Sequence, residues 1–594
     1  MRLFPNVFLC LMLSVFYCPN AIYAAITYDT VALSGEDAPG TTAGVIFSSF
    51  SGSPVLNDLG QTAFNGFLAG TGVNTFNDSG IFSDSTGTLS LVAREGVAAP
   101  GTAAGVRFLS LGSPVLNDAG QTAFLGTLTG TGVSISNNEG IFSEAGGSLG
   151  LVARAGSPAP GLGAGVNFVS DFGNPLLNNS GRTAFYNGLA GTGVDSTNNK
   201  GIFSEAGGTL GLVARAANPA PGTGAGVTFS VFGTPDSPVM NDAGQTAFLA
   251  VLTGTGVNST NDRGIFSEAG GSLGLVARSG DPAPDTVAGV NFGFVYAPVI
   301  NDLGQTAFIG ALTGTGIDIT NNEGIFSEAG GTLGLVARAG NPAPGTGADV
   351  NFNGFFNPVL NNAGQTAFMC SLTGAGVQLT NNSGIFSEAG GTLGLVAREG
   401  DPAPGAGAGV VFNSFSSGTN LPAFNDAGQT AFIGDLTGTG VNSTNDRGIF
   451  ATDLAGTLHL IAREGDLFDV NPDPLIADNR TISLLNFVGN SGGSDGRATG
   501  LNNAGQLVFR LVFTDGTQGV FVASIESAIP GDLDGDGFVG INDLNLVLGN
   551  WNQTVPPADA RADTNGDNFI GIADLNTVLG NWNAGTPPTD SANI

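Results

Sequence analysis

Asn117–Phe124 reads NDAGQTAF, and close copies of it begin at Asn57, Asn178, Asn241, Asn301, Asn361, Asn425 and Asn502. The successive starts lie 60, 61, 63, 60, 60, 64 and 77 residues apart, so the 594-residue chain is first of all a repeat array. Asn-Asp-Ala-Gly is turn chemistry: Asn bonds nearby backbone, and Gly accepts a left-handed φ. The residues that follow, QTAFLGTLTG, begin as an alternating, β-rich run. Each period then carries a Gly-Thr-Gly loop ending in Asn-Asn or Asn-Asp. Next come Gly-Ile-Phe-Ser-Glu, as in Gly140–Glu144, and Leu-Val-Ala-Arg, as in Leu151–Arg154. Pro-Ala-Pro-Gly and a Val-x-Phe segment complete it. Four short strands in roughly 60 residues fit one blade of a β-propeller, and a solenoid coil would usually be shorter.

The chain ends bear on closure. The last period holds Asn502–Phe509 and Gly519–Phe521 but no Leu-Val-Ala-Arg after them. The missing piece stands at the other end, as Thr30–Leu33 followed by Ala38-Pro39-Gly40. The expected fold is therefore an all-β, eight-bladed propeller whose N-terminal strand closes the last blade and removes the exposed sheet edges of an open array. An open stack of β units is the alternative. In this reading the octapeptide is a structural turn-plus-strand signature. Asn117 and its equivalents bond turn backbone, and Phe124 and its equivalents pack between blades.

Composition agrees with strands and turns. Gly is abundant (97 residues), hydrophobic residues make up 41% and charged residues only 11%. The formal charge of −31 excludes nucleic acid and anionic membrane surfaces as partners and favours divalent cations. Met1–Ala24 reads as a secretory signal, with Arg2, an apolar run at Val7–Tyr17 and a cleavage site near Ala24. Its removal takes Cys10 and Cys18 and leaves Cys370 alone, so no intramolecular disulfide forms. No later segment is long and apolar enough to span a membrane. The protein is expected outside the cell or on its surface.

Charges also repeat. Arg94, Arg154, Arg215, Arg278, Arg338, Arg398 and Arg463 stand in the Leu-Val-Ala-Arg segment, and Asp84, Glu144, Glu205, Glu268, Glu328 and Glu388 in the strand before it. A hairpin would set them side by side as cross-strand ion pairs of roughly 0.2–1 kcal/mol. The alternative is a ring of charge lining the channel. The Asn-Asp loops at Asn77, Asn261 and Asn445 vary too much between repeats for a metal cage and read as exposed turns.

Composition changes after Ser527. Asp532–Asp543 reads DLDGDGFVGIND, the oxygen-ligand spacing of a calcium loop. Carboxylates stand at positions 1, 3, 5 and 12, with a backbone carbonyl at 7. Asp563–Asp574, DTNGDNFIGIAD, repeats it 31 residues later. Each loop runs into a helix with an apolar face: Leu544, Val547, Leu548 and Trp551 in the first, Leu575, Val578, Leu579 and Trp582 in the second.

Two resemblances follow from these motifs. The octapeptide array, about Ala25–Ser527, resembles the NxxGxxAF tandem-repeat proteins of exported bacterial "choice-of-anchor" type, a resemblance that implies no defined activity. The duplicated loop-helix, about Gly531–Asn583, resembles a type I dockerin. That resemblance implies a small all-α domain holding two Ca²⁺ ions. Asp532, Asp534, Asp536, Phe538 and Asp543 would hold one; Asp563, Asn565, Asp567, Phe569 and Asp574 would hold the other. The first loop has more carboxylates and is expected to bind more tightly. The implied partner is a cohesin-like or other cell-surface protein. The family's recognition positions, often Ser-Thr, are here Ile541-Asn542 and Ile572-Ala573, which argues against cohesin of the cellulosomal kind.

The expected domains are thus 1–24 signal, 25–527 propeller, 528–585 dockerin-like module and 586–594 tail. Gly489–Gly493 matches G-x-S-x-G, but Ser491 needs a base and His459 is the only histidine; a Gly/Ser loop is the better reading. Cys370 reads as a packed thiol. The function expected is binding or scaffolding, without catalysis, tethered by the calcium module. The alternative is a glycoside-cleaving protein, or part of a polysaccharide-degrading complex, working with paired carboxylates. An active site would need a blade that differs, and Asp466–Gly500 is the outlier.

Overall fold

The computed structural model describes residues 26–233, 238–415, 421–471, 476–491, 495–525, 531–534, 538–565 and 567–584. The expected signal and tail, and Asp536, lie outside them. Two units are separate in their contacts, one ending at Ile525 and one beginning at Glu526.

The larger unit is all-β. Its described residues form eight antiparallel sheets arranged as the blades of a propeller. Blade two shows the plan. An inner strand, Val106–Leu111 continued by Val115–Leu116, pairs with Thr122–Gly130. That strand pairs with Glu139–Ser143, which pairs with the outermost strand Gly150–Arg154. Side chains alternate between faces. Phe124 and Phe142 stack at 5.9 Å on one face, beside Phe108, and pack on Ile81 and Ala93 of blade one. Ile141 points the other way, into Phe168, Phe185 and Phe203 of blade three. The Gly-Ile-Phe-Ser segment therefore supplies both faces of each blade, and Phe124 lies between blades as expected.

Two glycines show why the turns are fixed. Gly120 has φ +73°, and a Cβ there would meet Ser85 Cβ at 2.8 Å. Gly130 has φ +115°, and a Cβ would lie 2.0 Å from the Gly105 carbonyl oxygen. A side chain at either position requires strained backbone and displaced neighbours.

Blade eight closes the ring as the sequence implies. Ile26–Leu33 pairs antiparallel with Gln518–Ile525, Ile26 opposite Ile525 and Leu33 opposite Gly519. Ala32, Val508 and Val520 then pack against Phe47 and Phe64 of blade one.

The expected Arg–Glu ion pairs are not formed. The hairpin register sets Arg154 opposite Gly140, which leaves Glu144 beyond the other end. Arg154 Nε donates to the Asn137 carbonyl (3.0 Å), and Glu144 Oε2 accepts from Thr122 Oγ1 (2.6 Å) and N–H (3.1 Å). In blade seven, Thr452 Oγ1 takes the Thr430 N–H in place of the missing glutamate. These arginines stand on outermost strands, so they do not line the channel either.

The C-terminal unit has a core of Leu533, Val539, Val547, Val555, Ala562, Ile570 and Val578. It contains α1 (Ile541–Gly549) and α2 (Ile572–Gly580), each nine residues, and one 3₁₀ turn. The all-α expectation is corrected: among the described residues the Gly-, Asp- and Pro-rich stretches outside the two helices form turns, a 3₁₀ turn and one β-bridge, Thr554 to Phe569. No helix of the described residues is long and apolar enough to cross a membrane.

Candidate functional site

The octapeptide turns meet on the propeller axis, and there they do more than cap a strand. Asn117 Oδ1 accepts the Gln121 N–H at 2.9 Å, the expected turn bond. Its Nδ2 donates to the backbone oxygen of Asn178 in the next blade, also at 2.9 Å. The same bond runs from Asn57 to Asn117, Asn178 to Asn241, Asn241 to Asn301, Asn301 to Asn361, Asn361 to Asn425 and Asn425 to Asn502. Asn502 returns it to Asn57 at 2.9 Å. Eight buried amides thus form a closed hydrogen-bonded ring.

The residue after each asparagine builds a second ring: Asp58, Asp118, Asn179, Asp242, Asp302, Asn362, Asp426 and Asn503. Each backbone N–H donates to the Oδ1 of the next residue round, ending with Asn503 to Asp58. The order of acids and amides is not arbitrary. Asn179 Nδ2 bridges Asp118 and Asp242; Asn362 bridges Asp302 and Asp426; Asn503 bridges Asp426 and Asp58. Every carboxylate therefore has an amide donor beside it.

These side chains rim a cup of about 250 Å³ on the axis, with Leu56, Leu116, Leu177 and Thr499 deeper in its wall. Burial raises the carboxyls of Asp58 and Asp242, with the charges of Asp118 and Asp426 adding to it. Burial pushes Asp302 up to about 6, and neighbouring Asp242 contributes. Chemically the cup offers a ring of hard oxygen acceptors and, in Asp302, a carboxyl that holds its proton to about pH 6.

The channel behind the cup is filled by the long insert of the last repeat. The inward N–H groups of Leu56, Leu177, Met240 and Phe424 donate to the carbonyls of Thr499, Gly496, Asp495 and Asn490 at 3.0–3.1 Å. Ser491 is fully buried, and its Oγ accepts the Leu360 N–H at 3.1 Å. Asn490, Ser491, Asp495, Gly496 and Thr499 thus plug the channel against inner strands, and the last two residues of the G-x-S-x-G stretch lie outside the described residues. His459 stands in the outermost strand of blade seven, bonded to Asp453 at 3.0 Å. Cys370 is fully buried among Phe368, Phe386 and Leu372, and burial drives its thiol pKa far up.

In the C-terminal unit, ligand atoms of Asp532, Asp534 and Asp543 lie within 4.8 Å of one another. Asp543 is fully buried; its Oδ2 accepts the Gly540 N–H (2.7 Å) at the start of α1, and its Oδ1 the Leu533 N–H. Asp574 repeats this at α2, with the Gly571 N–H at 2.8 Å and the Thr564 N–H at 2.7 Å. In the second loop Asn565 Nδ2 donates to Asp567 (3.0 Å), and the Asn568 and Phe569 N–H groups donate to Asp563 and Asp567. Asp563 Oδ1 is shielded from solvent and has no hydrogen-bond partner among the described residues. Val547 and Val578 of the expected helix faces are fully buried, whereas Leu548, Trp551, Leu579 and Trp582 are exposed. The inner core of so small a unit takes only one side of each helix.

The two asparagine–aspartate rings and the plug were missed from sequence. The plug had one signal, the spacing of 77 residues. The rings had another, the alternation of Asp and Asn at one repeat position.

Fold and axis together define a closed eight-bladed propeller with a plugged channel and an acidic cup. Residues 22–144 and 135–531 match a family of unknown function, DUF7453, and the chain belongs to it. No curated protein matches the chain. Among solved structures it is similar to a puromycin hydrolase, at 11% identity over 80% of this chain and 62% of that one, with a TM-score of 0.31. An acylaminoacyl peptidase of Pyrococcus horikoshii follows at 9% identity, over 70% and 52%, with a TM-score of 0.34. A Trypanosoma rangeli sialidase in complex with sialic acid shares 10% identity over 65% and 57%, at 0.27. The chain thus spans 52–62% of the length of these three.

Proposed function

We propose that this is an exported, non-catalytic binding propeller carried by a C-terminal calcium-dependent docking module of dockerin-like type. The observation that carries the reading is the convergence of Asp532, Asp534 and Asp543 within 4.8 Å, one of them fully buried. Three carboxylates at that spacing repel one another, and a hard cation with oxygen ligands relieves the repulsion. Asp532, Asp534, Asp536, Asp543 and the Phe538 carbonyl would hold the first Ca²⁺. Asp563, Asn565, Asp567, Asp574 and the Phe569 carbonyl would hold the second. Ile541, Leu548 and Trp551 stand exposed on α1 and just after it, matched by Ile572, Leu579 and Trp582 at α2. This twofold apolar surface supports a protein partner on the cell surface, of cohesin-like or other kind.

A glycoside-cleaving propeller is the second reading. Five carboxylates do gather at one channel mouth, and Asp302 is raised to about 6, as a general acid requires. Against it, each Oδ1 of the ring is already bonded to a neighbouring backbone N–H. Calcium titration of the mature chain, by calorimetry, tests the first reading. Two sites are expected, the tighter one lost in Asp543→Ala and the weaker in Asp574→Ala. Absence of calcium binding, or binding unchanged in both variants, overturns the module.

A further inference from the structure

The eightfold repetition breaks at one seam. In blade three, Pro158 bridges to Asn167 and Gly161 sits on Leu212 of the outermost strand, so the Pro-Ala-Pro-Gly loop covers the edge of its own blade. The same glycine-on-leucine contact recurs at Gly101, Gly222, Gly345 and Gly405. In blade eight the Pro-Ala-Pro-Gly bridge is replaced by Leu467–Asp469, which pairs with Asn479–Thr481, and Thr30 Oγ1 of the outermost strand donates to the Val470 carbonyl at 3.0 Å. A groove of about 630 Å³ opens there, between the outermost strand of blade seven and Ile26–Tyr28.

Its walls are of two kinds. Tyr28 and Phe468 meet edge to face at 5.1 Å, and the Tyr28 hydroxyl is anchored on the Ile461 carbonyl at 2.7 Å. Tyr28 keeps 40% of its surface exposed, beside exposed Leu467. Along the other wall stand Asp466, Asp469 and Asn479, all solvent-accessible. Asp466 is fixed through its backbone, by Arg463 and Ile482, and among the described residues no hydrogen bond reaches its carboxylate. Asp469 Oδ1 accepts the N–H groups of Asn471 and Asp478. Arg463, the one cation in the lining, already donates to the Asn445 and Ala406 carbonyls.

We infer that this groove binds a neutral oligosaccharide. The volume falls in the range of small-molecule sites, roughly 300–1,000 Å³. Two carboxylates and a committed arginine turn anions away. A wholly apolar ligand would strip water from the carboxylates without replacing it. A sugar presents an apolar C–H face to Tyr28 and a row of hydroxyls to Asp466, Asp469 and Asn479. The inference rests on the binding reading of the propeller and names its ligand class.

The test is calorimetric titration of the mature chain, in EDTA, with neutral gluco-, xylo-, manno- and galacto-oligosaccharides, and with spermidine as a cationic control. At least one sugar is expected to bind. Asp466→Asn and Asn479→Ala should each weaken it by about tenfold or more, the loss of one or two hydrogen bonds to ligand, with the melting temperature unchanged. No sugar binding, binding of spermidine alone, or sugar binding undiminished by both variants overturns it. Because EDTA is present throughout, failure of the calcium module leaves this result untouched.

Discussion

Asn301 illustrates how much one side chain does in this fold. It is fully buried; its Oδ1 accepts the Gln305 N–H at 2.9 Å, and its Nδ2 donates to Gln305 Oε1 at 2.8 Å and to the Asn361 carbonyl at 3.0 Å. Asn301→Ala strips one of two bonds from the buried Asn361 carbonyl and takes their partner from the half-buried Gln305 N–H and Oε1, a cost of about 1–3 kcal/mol by urea unfolding. Asn301→Asp keeps the acceptor and loses the donor, so it should be no better; a neutral outcome for both would sink the ring as a stabilising device. Asp302, next in sequence, behaves differently. Its carboxyl is raised from 3.8 to about 6, so the folded state holds a proton that the unfolded state has released. Stability therefore falls as pH rises from about 4 to about 6 and is flat above. Asp302→Asn places at this position the amide that the chain already uses at Asn362 and Asn503. It should flatten the slope between about pH 4 and 6, while the relief of a buried charge at pH 7 is offset by the loss of the bond that Asn362 Nδ2 donates to Asp302 at 2.6 Å. A variant with the wild-type slope would show that another group titrates there.

At the scale of elements, the strands were legible because their chemistry is local. Gly-(Ile/Val)-Phe alternates, and the Asn-x-x-Gly turn recurs, in every copy. The Arg–Glu pairing was misread because hairpin register is set by where the turn falls, and two or three residues of turn move a charge to the far end of a strand. The closing strand was legible as a missing segment. It makes a prediction of its own. Deleting Ile26–Leu33 exposes the edge of Gln518–Ile525 and uncovers Val508, Val520 and Val522. An unpaired, apolar edge recruits another chain. The truncated protein should elute as oligomers on gel filtration and regain a monomer when the Ile26–Leu33 peptide is supplied. A monomeric truncation with unchanged unfolding would mean that the seam is held by the hydrogen-bonded rings alone.

For the whole molecule the question is whether its two units share stability. The propeller buries a phenylalanine-rich layer at each blade seam and ties the blades together on the axis with two closed hydrogen-bonded rings. Among the described residues the C-terminal unit has eight buried core residues, Val547, Ile570 and Val578 among them, and a buried aspartate at the head of each helix. So small a core supplies little stability by itself, and binding of a cation to the folded form adds to it by mass action. Calcium should then act on one unit only. In differential scanning calorimetry the mature chain should show two transitions. Ten-fold increments of calcium above both dissociation constants should each stabilise the smaller transition by about 2.7 kcal/mol, roughly 1.4 per site, and leave the larger one in place. Asp543→Ala should remove the first site's share of the shift, and only Asp543→Ala with Asp574→Ala should abolish it. The propeller's calcium response is the discriminating observation. If its transition moves as well, and Asp302→Asn removes that movement, the acidic cup holds a cation of its own, and the five carboxylates on the axis are ligands rather than fasteners.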